Sequence, residues 1–369
     1  MEKYKVAVIG AGMIANSAHI PAYKRLKDRV KIVAIADNRE QAAKESASLH
    51  GIEHWYTDAI EMLDKEKPDI VSVCMSNMLH YKYTMEALKA GANVFCEKPA
   101  AVSYHETKEM FDMAKKMGKE LIVCQTARFS AEAITAKRFA ETGILGDVYF
   151  ADIEWTRRRG VPKWGSFHIK NANGGGAFCD LGIHAFDLVL WIAGFPKLKS
   201  MSANATTKIT GYEPELFSSD EESGAFNGVF MPRKFDVNEF SVEEFANGVA
   251  FFANGLSINF KIAWSVNLPE NRKFDIAGTR AGIRMPSMEL YSSIADYQAD
   301  VKPHYAPYKY SEHGFGGHFG LIEHGINVLG KKEELIIKPD EILTTAAILE
   351  GFYKSARLGR EVMIEEIIE

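Results

Sequence analysis

Tyr4-Lys5-Val6-Ala7-Val8-Ile9-Gly10-Ala11-Gly12-Met13-Ile14-Ala15 opens the chain with an apolar, strand-like run that breaks into a glycine-rich turn. Beyond the turn, Ile20, Tyr23 and Leu26 recur at helical spacing, so the stretch reads strand, turn, helix. Gly10 permits the tight turn, Gly12 lets the backbone approach a pyrophosphate, and small Ala15 lets helix and strand pack closely. Met13 and Ile14 then begin the helix whose amides face the phosphates. Asp37 ends the next strand, where a carboxylate accepts hydrogen bonds from ribose hydroxyls, with Asn38 and Arg39 beside it. The pattern predicts a dinucleotide site. The Asp37 charge repels a 2′-phosphate and favours NAD, while the Arg39 guanidinium keeps NADP open as the alternative.

The same alternation continues outward from this unit. Apolar runs at Lys31 to Ala36, Ile70 to Cys74, Asn93 to Cys96 and Glu120 to Cys124 are separated by helix-like stretches such as Met78 to Ala90 and Ser103 to Met117. That is the signature of a doubly wound parallel sheet, a Rossmann α/β domain over residues 1–126. After Arg128 the character changes. A helix at Glu132 to Glu141 leads to long β-like segments at Val148 to Thr156, Lys199 to Thr207, Val242 to Phe252 and Leu256 to Val266, the last two joined by the hairpin signal Asn254-Gly255. Residues 127–369 therefore read as an α+β domain with a large, mostly antiparallel open sheet. Its final helix, Pro339 to Arg357, is a candidate to pack back on the first domain. Tyr212 to Asp236 is polar and glycine-containing and reads as an irregular insertion.

The chain has 369 residues, 47% of them hydrophobic, enough to bury two cores. Its 44 basic and 49 acidic residues leave a net charge of -5 without a block of like charge, which argues against nucleic-acid and membrane-surface partners. No leader pattern precedes the first strand and no transmembrane run is evident, and Cys74, Cys96, Cys124 and Cys179 are too scattered to suggest a disulfide framework. A reducing, cytoplasmic setting is expected.

Two further runs carry chemistry: Cys96-Glu97-Lys98-Pro99, ending the fifth apolar run, and Gly174-Gly175-Gly176-Ala177-Phe178-Cys179-Asp180-Leu181-Gly182-Ile183-His184-Ala185-Phe186-Asp187. With the glycine turn, Ser76-Asn77 and His80, and Arg128, they make the chain resemble the Gfo/Idh/MocA family of oxidoreductases over almost its whole length. Many members have a proline where Ser76 stands, and Tyr212 to Asp236 looks longer than usual.

From residue chemistry alone, Lys98 follows a strand at the carboxyl edge of a parallel sheet, where ligands bind, and Asp180 and His184 share a face if their segment is helical. The resemblance implies roles. His184 takes the hydroxyl proton, Lys98 stabilises the developing alkoxide and Asp180 orients the substrate or the imidazole, while Ser76, Asn77, His80, Glu97, Lys98, Arg128 and Trp164 border the cofactor. Trp164 lies in the run Arg157-Arg158-Arg159-Gly160-Val161-Pro162-Lys163-Trp164, resembling a loop that passes over the nicotinamide in sugar-handling members; a basic loop at a subunit interface is the plain alternative.

His318 and His324 are spaced for different helix faces, and Asp180, His184 and Asp187 lack a completing ligand, so no metal is expected. The resemblance implies a dehydrogenase for a secondary hydroxyl of a sugar, glycoside, sugar acid or cyclitol. It also implies a homodimer or homotetramer assembled through the open sheet. The rival readings are a redox-assisted glycosidase or epimerase that retains NAD, and a non-catalytic dinucleotide-binding regulator. The second is disfavoured by the presence of Lys98, Asp180 and His184 together.

Overall fold

The structure is a computed structural model and describes residues 3–211 and 235–369. Its first sheet contains β1 (Tyr4–Ile9), β2 (Val30–Ala36), β3 (His54–Tyr56), β4 (Ile70–Val73), β5 (Asn93–Cys96) and β6 (Leu121–Val123), all parallel, in the order β3-β2-β1-β4-β5-β6. Val6 to Ile9 and the whole of β4 are buried, as expected for strands covered by helices on both faces. The order reverses between β1 and β4, which puts the ligand crevice at the carboxyl ends of these strands. β3 was not marked in the sequence reading. Its three residues lie at the sheet edge, and His54 and Trp55 are exposed, so no apolar run announces it.

The second sheet contains β7 (Val148–Thr156), β8 (Leu198–Thr206), β9 (Phe245–Phe252), β10 (Ser257–Ala263), β11 (Asn271–Gly278), β12 (Gly282–Met285), β13 (Glu289–Ile294), β14 (Tyr297–Val301) and β15 (Val362–Met363). Their order is β14-β13-β12-β11-β7-β10-β9-β8-β15. Only β7 and β10 pair in parallel; the remaining neighbours are antiparallel, and Asn254-Gly255 joins β9 to β10. One face packs on helix Ile183–Ala193 and helix Pro339–Leu358 around Phe178, Phe186, Phe260 and Phe352, with Phe178 stacked on Phe352 at 3.9 Å between centroids. The other face carries cross-strand ion pairs, Lys261 with Glu154 and Lys273 with Asp152.

Helix Gly316–Leu329 leaves the second sheet and inserts Phe319, Leu321, Ile322 and Ile326 into the first core. Helix Pro339–Leu358 divides its side chains, giving Ile342 to the first core and Ile348, Leu349 and Phe352 to the second. Up to residue 234, the irregular stretch beginning at Tyr212 lies outside the described residues. All four cysteines are free and buried. Among the described residues one helical run, Lys170–Ala193, is long and apolar enough to cross a membrane by length and composition, but 83% of its most apolar window is buried inside the fold, as in a core helix.

Candidate active site

Gly10 has φ +99°, and a Cβ there would stand 2.5 Å from the Cys74 carbonyl oxygen, so the turn between β1 and its helix needs glycine. A Cβ on Gly12, by contrast, would meet nothing within 4 Å, leaving open space where a pyrophosphate can approach. The helix that follows starts with a wide π turn, Ala15–His19, before regular helix Ile20–Arg25. Asp37 is buried at the end of β2. Its Oδ2 accepts the Ala11 amide at 2.9 Å and its Oδ1 accepts the Arg39 amide at 2.9 Å, with Arg39 Nε 3.3 Å away. These residues fit a dinucleotide. Met13 and Ile14 are half-buried beside Gly12, and Asn38 is exposed.

At the carboxyl end of β5, Lys98 Nζ lies 3.0 Å from Asp180 Oδ1 and 3.1 Å from the Asp180 carbonyl oxygen. Asp180 Oδ2 accepts a hydrogen bond from Trp264 Nε1 at 3.0 Å. Both carboxylate oxygens are therefore held. Burial alone would raise the Asp180 pKa, but the Lys98 ammonium and the Arg157 guanidinium outweigh it and keep the group below its ordinary value. Asp180 sits on a π turn, Phe178–Gly182, and not on the regular helix expected; Ile183–Ala193 is α-helical and carries His184. Burial, reinforced by Lys98, lowers the His184 pKa to about 3, so the ring is neutral at ordinary pH. Its Nδ1 is buried without a partner among the described residues.

The three glycines before this segment are explained by packing. A Cβ on Gly176 would lie 1.9 Å from the Glu243 carbonyl oxygen. The buried Glu243 carboxylate accepts the Gly176 and Phe178 amides at 3.0 and 2.9 Å and the Tyr353 hydroxyl at 2.9 Å, fixing the start of the helix.

Glu97 is held by two histidines. His19 Nε2 and His318 Nε2 approach its Oε1 at 2.9 and 3.1 Å. By residue type this is a metal-ligand set, and it was not foreseen, since His318 was weighed only against its neighbours in sequence. Both imidazoles, however, converge on one carboxylate oxygen at ordinary hydrogen-bond distances, and His19 passes its other nitrogen to Ser72 Oγ at 3.0 Å. The three side chains are thus joined to one another by hydrogen bonds.

Two expected cofactor contacts do not fit the geometry. Arg128 is fully buried; Nε and Nη2 bind Asp187 at 2.8 and 2.6 Å and Nη1 binds Glu341 at 2.5 Å, which makes it an interior clamp between helices. His80 is also fully buried, its ring nitrogens 2.6 Å from the Pro99 carbonyl and 3.0 Å from the Met75 carbonyl, so it braces the Glu97-Lys98-Pro99 turn. Asn77 reaches across to the Asn173 carbonyl at 3.0 Å, and Ser76 precedes it in extended conformation. Trp164 is half-buried with its ring 5.6 Å from Phe167, and among the described residues no hydrogen bond or ring contact ties it to Lys98, Asp180 or His184.

Residues 4–125 match the family model described as an oxidoreductase family with an NAD-binding Rossmann fold, and residues 133–284 match the GFO/IDH/MocA C-terminal domain. The chain is 33% identical over 290 residues, 78% of each protein, to D-glucoside 3-dehydrogenase of Escherichia coli strain K12. It is 30% identical over 190 residues, 52% of this chain and 55% of the other, to myo-inositol 2-dehydrogenase of Thermotoga maritima. Among solved structures, levoglucosan dehydrogenase in complex with NADH and levoglucosan superposes with a TM-score of 0.79 at 20% identity, covering 98% of this chain and 100% of that one.

Proposed function

The chain belongs to the Gfo/Idh/MocA family of NAD-binding oxidoreductases, and on that premise we propose that it is an NAD-dependent dehydrogenase acting on a secondary hydroxyl of a sugar ring, glycosides first, with sugar acids and cyclitols as the wider class. The observation that carries the reading is the Lys98–Asp180 pair at the carboxyl edge of the first sheet, with neutral His184 following at the start of helix Ile183–Ala193. Bound NAD would supply the hydride acceptor. His184 takes the hydroxyl proton as the carbon gives up its hydride. Lys98, held in place by Asp180, presents its ammonium to the alkoxide oxygen. Arg157, whose Nη1 rests on the Gly160 carbonyl at 3.2 Å, stands near enough to Asp180 to act on its charge and serves the substrate's other oxygens, with Trp164 over the ring.

Asp37 supports NAD over NADP, because its buried carboxylate already orders the Ala11 amide and would repel a 2′-phosphate. The open face of the second sheet, uncovered by helices among the described residues, supports a homo-oligomer. The domain boundary is placed after residue 126, with helix Gly316–Leu329 and the start of helix Pro339–Leu358 returning to the first core. The test is a screen of glucosides, anhydrosugars, sugar acids and cyclitols for NAD reduction followed at the nicotinamide absorbance. A substrate consumed without net NADH would replace this reading with a retained-cofactor mechanism; no turnover of any ring alcohol would remove it.

A further inference from the structure

Glu97 follows the last residue of β5, at the same sheet edge as Lys98, yet its side chain is only 9% exposed. Burying a carboxylate in such a place is costly unless donors replace the water it loses. Here the donors come from two distant parts of the chain. His19 belongs to the π turn after the glycine loop, and His318 to helix Gly316–Leu329, which arrives from beyond the second sheet.

A carboxylate can only accept, so the ring nitrogen of each histidine facing Oε1 must carry the proton. Neutral His19 then presents a bare Nδ1 to Ser72, whose hydroxyl donates to it at 3.0 Å, and Ser72 in turn accepts from the buried Tyr23 hydroxyl at 2.8 Å. Every bond in this chain points toward Glu97. Both imidazoles use Oε1, whereas Oε2 receives the Lys98 amide at a long 3.3 Å, and the buried Cys124 thiol also hydrogen-bonds the Glu97 side chain. Burial alone would raise the Glu97 pKa, but His318 and His19 outweigh it and hold the group well below the usual carboxylate range.

The geometry points to His318 as a positioning residue for cofactor binding: with His19 it fixes Glu97 through Oε1, which orients the carboxylate to accept a hydroxyl of the bound dinucleotide through Oε2 next to Lys98. This rests on the reading of Glu97 as a cofactor contact and is independent of which sugar is oxidised. Helix Gly316–Leu329 is thereby given a part in the site that its apolar packing alone does not imply.

The test is NADH binding by fluorescence titration to the full-length protein, without any sugar, in the native form and in His318→Ala, His318→Gln, Glu97→Gln and the Ala/Gln double variant. His318→Ala and Glu97→Gln are each expected to weaken binding about 10-fold or more, as for loss of a hydrogen bond involving a charged group. The double variant should be little worse than either single one, because both act through one contact. His318→Gln, which can place an amide donor near the same oxygen, should recover most of the affinity, a rescue that mere packing would not give. Native NADH affinity in a folded His318→Ala protein would overturn the proposal. So would a stoichiometric divalent metal in the purified native protein that is lost in His318→Ala. Failure of the sugar screen with NADH binding behaving as described would leave the proposal standing and remove only the substrate reading.

Discussion

Trp264 Nε1 donates to Asp180 Oδ2 at 3.0 Å, on the side of the carboxylate opposite the oxygen that holds Lys98 at 3.0 Å. Asp180 is thus a fixed strut between a fully buried indole and the ammonium, each of its oxygens already accepting a hydrogen bond. Trp264→Phe removes the N–H and leaves an aromatic ring. A hydrogen bond to a charged group contributes about 1.5 to 3 kcal/mol, so if the orientation matters in the transition state, kcat should fall about 10-fold to 100-fold. NADH affinity should change far less. An unchanged kcat would show that Lys98 alone fixes Asp180.

Arg128 offers a test of stability without chemistry. Its guanidinium is buried between Asp187 and Glu341, and removing one partner of such a pair leaves an uncompensated charge at a cost of about 3–5 kcal/mol. Arg128→Met should lower the denaturant midpoint by a corresponding amount while the folded fraction retains NADH binding. Loss of NADH affinity with little loss of stability would restore the cofactor role expected from the sequence.

The contrast between Arg128 and Gly10 shows what was legible in the chain. Gly10, Gly12, Asp37 and the strands around them interact within one or two elements, so their spacing carries the information. Arg128 meets partners 59 and 213 residues away, and nothing near it in sequence distinguishes a cofactor arginine from an interior clamp. His318 reaches Glu97 across 221 residues and Trp264 reaches Asp180 across 84, each as an isolated polar or aromatic residue in an otherwise ordinary helix or strand end. The π turn under Asp180 was hidden for another reason: its sequence also satisfies regular helical spacing, so nothing in the pattern of residues distinguishes the wider winding.

Asp37 sets an expectation for cofactor choice. Asp37→Ser removes the charge that repels a 2′-phosphate and also the acceptor of the Ala11 amide, so affinity for both dinucleotides should fall. The informative quantity is their ratio, which should move toward NADP in parallel titrations. A native protein that prefers NADP would mean that Arg39 governs the pocket despite its contact with Asp37.

His184 gives the sharpest prediction, because its environment fixes the sign of the pH dependence. A histidine of ordinary pKa, about 6.5, would lose its proton near neutrality, and oxidation would then rise with pH through that region as the base became available. In His184 burial and the nearby Lys98 charge lower the pKa to about 3, so the ring is already neutral at pH 5 and its acid limb lies below the range in which the enzyme can be assayed. The sugar-oxidation rate should therefore show no limb from His184 between pH 5 and 8. His184→Asn should depress the rate by about 100-fold to 10,000-fold at every pH in that range, without altering the profile's shape, while NADH still binds. Adding Lys98→Met should cost less than the product of the two single losses, since both groups serve one transition state. Single-turnover measurements with preloaded cofactor isolate the hydride step from product release. A limb near pH 6.5 that disappears in His184→Asn would show that the ring is protonated in the resting enzyme and that burial does not control it. Near-native hydride transfer in His184→Asn would remove the residue from proton transfer altogether.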